Sequence, residues 1–250
     1  MSLAELQNVK KYFGDVHAVD DVSLKINENE QISLIGPNGA GKTTLINIFA
    51  GTIKLNSGKI IFMGKDITHL PPYKRCELGL ARSFQLPAIY PNLTVYDSVR
   101  ASIISKLKKG KRFYSSVDLD DEVNKMTKEV LELFELYNKR DMLAIKLPHG
   151  DKKLLDVACA FALWPKLILL DEPTSGVSTI EKRKVMEKIL SVSKEMGIKS
   201  FIIVEHDMDI VFSYSNRIIV MYEGKVLADG KPEKIKENAE VVRILLGKVK

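Results

Sequence analysis

Apolar and polar residues alternate through Val22-Ser23-Leu24-Lys25-Ile26, the period of a strand with one buried face. Gln31-Ile32-Ser33-Leu34-Ile35 is mostly apolar and stops at Gly36, which predicts a buried strand running into a turn. From Lys42 to Ala50 the period lengthens: Leu45, Ile46 and Phe49 share a helical face, and Gly51 is the expected stop. Val123, Met126, Val130, Leu131 and Phe134 form one stripe through Asp120 to Leu136, predicting an amphipathic helix. Leu167 to Leu170 and Phe201 to Val204 read as short buried strands, with a charged helix expected from Thr179 to Met196. Arg217 to Met221 and Lys225 to Ala228 flank Glu223-Gly224, a hairpin signal. Pro232 to Leu246 reads as a helix. The pattern is α/β, with a helical lobe expected over residues 87–162 inserted between 1–86 and 163–250 of one domain.

Composition narrows the class. An apolar share of 45% with 28% charged residues over 250 residues is ordinary for a globular chain and excludes a fibrous or disordered one. The formal charge of +6 suits nucleotide phosphates or an anionic membrane surface and is too small to require nucleic acid. Lys106, Lys108, Lys109, Lys111 and Arg112 are expected to form a solvated loop. Cys76 and Cys159 lack metal-ligand spacing, as in a reduced, cytosolic protein. No secretory signal is visible at Met1 to Asn8. The longest apolar stretch, Leu154 to Leu170, is broken by Asp156, Pro165 and Lys166, whereas a membrane span needs roughly 20 apolar residues.

Candidate chemistry begins after the strand ending at Ile35. Gly36-Pro37-Asn38-Gly39-Ala40-Gly41-Lys42-Thr43 fits G-x-x-x-x-G-K-[ST] between a strand and a helix, with Thr44 next. Glycines let successive N–H groups turn inward on phosphate oxygens, and the helix dipole adds to the attraction. Lys42 supplies a cation for the β- and γ-phosphates of ATP, and the Thr43 hydroxyl can ligate Mg²⁺. Far downstream, the apolar run to Leu170 ends in Asp171 and Glu172, two acids that are costly there without a cation or water. Asp171 is placed to hold Mg²⁺, and Glu172 to orient and polarise an attacking water. Paired acids point to hydrolysis, since a passive nucleotide holder has little use for a base.

These residues resemble the ABC transporter ATPases over nearly the whole chain. The resemblance implies a P-loop NTPase core with a mixed sheet, an N-terminal antiparallel β part and the helical subdomain. Tyr12 looks like the aromatic that stacks on adenine. Gln85, in Arg82-Ser83-Phe84-Gln85, resembles the glutamine that touches Mg²⁺ and water and senses the membrane partner. His206 resembles the switch histidine at the γ-phosphate, and Ser175-Gly176-Val177-Ser178 the D-loop that meets the opposite subunit. More narrowly, the chain is similar to the ATPases of branched-chain amino-acid importers, through Arg82 to Gln85, Pro91 to Val95, the insert near Lys106 to Asp121, Val204 to Met208 and Pro232 to Ile235.

One loop departs from the family pattern. Where the family carries L-S-G-G-Q, this chain has Leu147-Pro148-His149-Gly150-Asp151. The resemblance implies that Pro148, His149, Gly150, Asp151 and Ser178 face ATP held by a second ATPase subunit. Pro148 offers neither hydroxyl nor N–H, and Asp151 brings negative charge unless it caps its helix or points away. Two readings stay open: a tolerated variant, or a weak site in a heterodimer. The implied partners are permease subunits, a second ATPase subunit, identical or a sister protein, and indirectly a solute-binding protein, at the cytoplasmic face of the membrane. The rivals are a transport-uncoupled ABC-type ATPase, a P-loop kinase for a small molecule, and an exporter.

Overall fold

Strand and helix periods alternate along the chain as follows. β1 (Ser2–Phe13), β2 (Val16–Asn27) and β3 (Gln31–Ile35) precede α1 (Lys42–Ala50), β4 (Ser57–Phe62), β5 (Lys65–Asp66), α2 (Pro72–Glu77) and β6 (Leu80–Arg82). The middle holds α3 (Val95–Lys106), α4 (Asp121–Leu133), α5 (His149–Phe161), β7 (Leu167–Asp171) and α6 (Thr179–Glu195). The last part is β8 (Ser200–Val204), α7 (Met208–Tyr214), β9 (Arg217–Tyr222), β10 (Lys225–Gly230), α8 (Pro232–Glu237) and α9 (Ala239–Leu245). The computed structural model describes residues 2–83, 91–111 and 120–245. They fall into two compact units, Met1–Leu80 with Lys199–Lys250, and Ala81–Ile198.

The first unit contains an antiparallel sheet of order β2-β1-β4-β5 and the strands β10-β9-β3-β8. β3 pairs in parallel with both β8 and β9, Leu34 lying opposite Val204 on one side and Ile219 on the other. Such a strand is covered on both faces, which is why its sequence is a continuous apolar run rather than an alternation. β9 and β10 form the expected hairpin. Glu223 (φ 47) and Gly224 (φ 77) both take left-handed backbone, the requirement of a type I′ turn.

Arg75 of α2 is an internal fastener that the sequence reading passed over. It is 2% exposed, and its guanidinium donates to Ile48 O, Phe49 O, Thr68 O and Leu70 O at 2.7–2.9 Å. Two of those carbonyls belong to the last turn of α1, where backbone acceptors lack helical donors. Burial lowers the Arg75 pKa to about 10, so it stays charged at neutral pH. Gly51 ends α1 with φ 84, and a Cβ there would meet Arg75 Nε at 2.7 Å.

Two helix readings change. The stretch from Pro232 is two helices among the described residues, parted at Asn238, whose Oδ1 accepts from Glu240 N and Val241 N and starts α9 as a cap. Leu246 lies outside the described residues. In α4, Thr127 rather than Met126 is fully buried, because its hydroxyl returns to Val123 O at 2.7 Å and leaves only its methyl to pack. The second unit gathers α3, α4 and α5, with Phe134 and Phe161 edge to face at 5.2 Å. Lys109 departs from the solvated-loop expectation: it pairs with Asp120 at 2.8 Å and Glu122 at 2.6 Å. Arg112 lies outside the described residues. No helix among the described residues is long and apolar enough to cross a membrane.

Candidate active site

The phosphate-type loop leaves the carboxyl end of β3 and enters α1 through Gly41 (φ 97). Its glycines are required sterically. A Cβ on Gly36 would lie 2.1 Å from Met221 O, and one on Gly41 would lie 2.1 Å from Ala18 O. Gly224 N donates to Ala40 O at 3.1 Å, so the β9–β10 turn braces the loop from outside. Lys42 is buried, with Nζ donating to Gly36 O at 2.7 Å and Pro37 O at 2.9 Å, inside the curl of its own loop. Thr43 is exposed and Thr44 half-buried, at the start of α1, where free N–H groups attract anions.

β8 lies beside β3 and runs the same way, so the segment after Val204 emerges next to this loop. There stands His206, exposed, sharing with Gly36, Pro37 and Asn38 one wall of a cleft of about 410 Å³ whose remainder is mainly apolar, from Met208, Phe212, Ile235, Val241 and Leu245. Ligands of open parallel sheets sit outside the carboxyl ends of the strands, where the loop after β3 and the segment after β8 both begin. Tyr12, near the end of β1, stacks on His17 with centroids 4.2 Å apart and donates to Asp20 Oδ1 at 3.3 Å. Its neighbour Phe13 is 50% exposed, since adjacent strand residues point to opposite faces.

In the second unit, β7 is buried at every residue and delivers Asp171 at its carboxyl end with a fully buried side chain. Asp171 Oδ2 accepts from Arg82 Nη2 at 2.9 Å. Asp171 Oδ1 is buried with no hydrogen-bond partner among the described residues. A carboxylate oxygen in that position fits a hard divalent cation, whose ligands are oxygens. Glu172 follows with φ 50, a left-handed backbone that turns the chain sharply off the strand, and Ser175 N closes that turn on Glu172 O at 3.1 Å. Strain of this kind persists where surrounding structure over-determines it, and buried Pro173 and Thr174 do so here.

The divergent loop begins α5. Pro148 is the N-cap residue and makes no side-chain cap bond. His149 Nε2 lies 3.3 Å from Ser175 O, and a Cβ on Gly176 would stand 2.6 Å from the same nitrogen. Asp151 forms an ion pair with Lys139, so its charge is balanced within the chain. Ser178 caps α6 in a reciprocal capping box with Glu181, donating to Oε2 at 2.7 Å while the Glu181 N–H returns to its hydroxyl. The Ser178 bonds hold the Glu181 carboxyl below the usual range. Gly150 lies close to that capping box, 3.5 Å from Glu181 Oε1 to a built Cβ. Gln85 and Phe84 lie outside the described residues.

Replacing Pro148 with Ser puts a hydroxyl at an N-cap that has none, worth about 1 kcal/mol to α5. Pro148→Ser is expected to preserve or raise the ATP hydrolysis that the resemblance implies, measured as phosphate release from the assembly in vesicles. A collapse of that rate would exclude a tolerated variant.

Residues 19–175 match the ABC transporter family model. In Archaeoglobus fulgidus a protein named as a branched-chain amino acid transport ATP-binding protein, LivG, is 36% identical over 99% of this chain and 96% of its own. The lipopolysaccharide export system ATP-binding protein LptB of Haemophilus influenzae is 33% identical over 99% of this chain and 98% of its own. The crystal structure of the ADP conformation of an ATP-binding cassette of an ABC transporter superposes with a TM-score of 0.87 at 31% identity, covering 99% of both chains. Sequence and fold agree over the full length, so this chain belongs to the ABC transporter family and is an ATP-binding, ATP-hydrolysing subunit of such a transporter.

Proposed function

We propose that this subunit hydrolyses ATP with Mg²⁺ to drive import of branched-chain amino acids or related small polar solutes. The observation that carries the nucleotide chemistry is the glycine-constrained loop around Lys42 with His206 on the wall of the same cleft. Lys42 and the N–H groups of residues 36 and 38–44 bind the phosphates, and Tyr12, with exposed Phe13 beside it, offers a ring to adenine. Thr43, Gln85 and Asp171 are the residues to hold Mg²⁺, which supplies charge neutralisation on the phosphates. Glu172 orients the water and accepts its proton, and His206 holds the γ-phosphate end in line.

Two subunits, identical or sister proteins, close on ATP with each loop 147–151 facing the nucleotide of the other. α3, α4 and α5 belong to the helical lobe, assigned to 87–162, that with Gln85 meets the permease at the cytoplasmic face, while a solute-binding protein delivers cargo from outside. The close likeness to proteins named LivG supports the amino-acid reading, and the likeness to LptB makes an exporter the second reading.

Purification of the tagged chain from native membranes, with mass spectrometry of what accompanies it, tests the assignment. Permease subunits and a second ATPase subunit are expected, and vesicles carrying the complex should take up leucine or a related solute on ATP addition. Recovery of lipid-export components instead would replace the import reading. Recovery of the chain without any membrane protein would remove both.

A further inference from the structure

Asp171 has a second engagement that hydrolysis itself does not call for. Arg82, the last residue of β6, donates from Nη2 to Asp171 Oδ2 at 2.9 Å, with side chains 9% and 0% exposed. The other oxygen, Oδ1, is buried and has no hydrogen-bond partner among the described residues. The backbone fixes this arrangement, because Ser83 N donates to Leu169 O at 2.9 Å, one residue from the arginine and two from the aspartate. A buried carboxylate is costly unless its charge is paired and its lone pairs are met. Arg82 meets the charge and one oxygen. The second oxygen is buried and unmatched among the described residues.

We propose that Arg82 is a positioning residue that limits Asp171 to one oxygen toward a divalent cation and so sets a preference for Mg²⁺ over Ca²⁺. The inference rests on the reading of Asp171 as the metal-holding carboxylate. Mg²⁺ demands a near-ideal octahedron with ligands at about 2.0–2.1 Å, whereas Ca²⁺ accepts roughly 6–8 oxygens and readily takes a carboxylate by both. A guanidinium bonded to Oδ2 competes with chelation by both oxygens of Asp171. Arg82 acts through Asp171, and no contact with nucleotide is required of it.

The test uses the full chain and two readouts independent of turnover: ATP affinity by titration calorimetry in EDTA, Mg²⁺ or Ca²⁺, and Mn²⁺ binding by electron paramagnetic resonance. In Arg82→Gln the affinity for ATP in EDTA should stay within about twofold. The gain from Mg²⁺ and the affinity for Mn²⁺ should fall by about tenfold, the usual effect of losing a group that orients a metal ligand. The gain from Ca²⁺ should hold or rise, narrowing the preference. Arg82→Lys keeps the charge and a donor without the planar fork, and should fall between. An unchanged Mg²⁺ to Ca²⁺ ratio in folded Arg82→Gln overturns the proposal. Should that variant not fold, an unchanged ratio in Arg82→Lys overturns it. A wild-type chain with no divalent gain at all would instead remove Asp171 from metal binding, and the role of Arg82 with it.

Discussion

Glu172→Gln is expected to lower steady-state ATP hydrolysis by about 10²–10³-fold, the contribution of a positioned general base, while ATP affinity stays within about threefold. The substitution keeps the shape and hydrogen-bonding reach of the side chain and removes its ability to take a proton. The backbone reason for a clean effect is local. Glu172 holds φ 50 within a turn closed by Ser175 N on Glu172 O and flanked by buried Pro173 and Thr174. A side chain that only stabilised this turn would tolerate Gln with little change in rate. Phosphate release and ATP binding by calorimetry separate the two roles, and the variant should run as a dimer on a sizing column in ATP. Unimpaired turnover would take Glu172 out of the chemistry.

Gly41→Ala has the second largest expected effect, on binding rather than turnover. Left-handed backbone at a residue with a Cβ costs about 1–3 kcal/mol, and at Gly41 (φ +97) the added atom also meets Ala18 O at 2.1 Å. A backbone carbonyl cannot swing away as a side chain can, so the cost is set at roughly 3 kcal/mol or more. For a chain of this size that lowers the thermal midpoint by roughly 6–12 °C. The strain is relieved by distorting the loop that carries Lys42, so ATP affinity should drop at least about 100-fold. Gly39 supplies the comparison: it has φ +80 but nothing within 4 Å of a built Cβ. Gly39→Ala carries the backbone cost alone, near about 1 kcal/mol. Equal losses at the two positions would show that the Ala18 carbonyl yields, and that close approach is not what the glycine provides.

Much of the fold was legible in the chain itself. The boundaries of β3 and α1 agree with the sequence reading, because a buried parallel strand and a glycine-stopped helix each leave a strong local signal. The Glu223-Gly224 hairpin was legible for the same reason. Asn238 was harder to see. Its neighbours keep helical spacing, and a cap that starts a new helix inside such a pattern shows only as a side chain bonded to the following N–H groups. Thr127 was passed over because a threonine counts as polar until its hydroxyl is seen to bond within its own helix. The buried oxygen of Asp171 without a partner among the described residues is something no spacing rule exposes.

The sequence by itself determined the family and the nucleotide chemistry and named the candidate residues, since each lies in a short segment whose local pattern carries the signal. Only the tertiary structure decided what those residues are bonded to. Asp151 is neutralised by Lys139, Ser178 is taken up by a capping box, His149 leans on the Ser175–Gly176 turn, and Asp171 is held by Arg82. Each of these depends on burial and on the direction of side chains brought together by packing. A carboxylate's partner is selected by distance and dielectric in the folded chain, and neither is written in the order of residues.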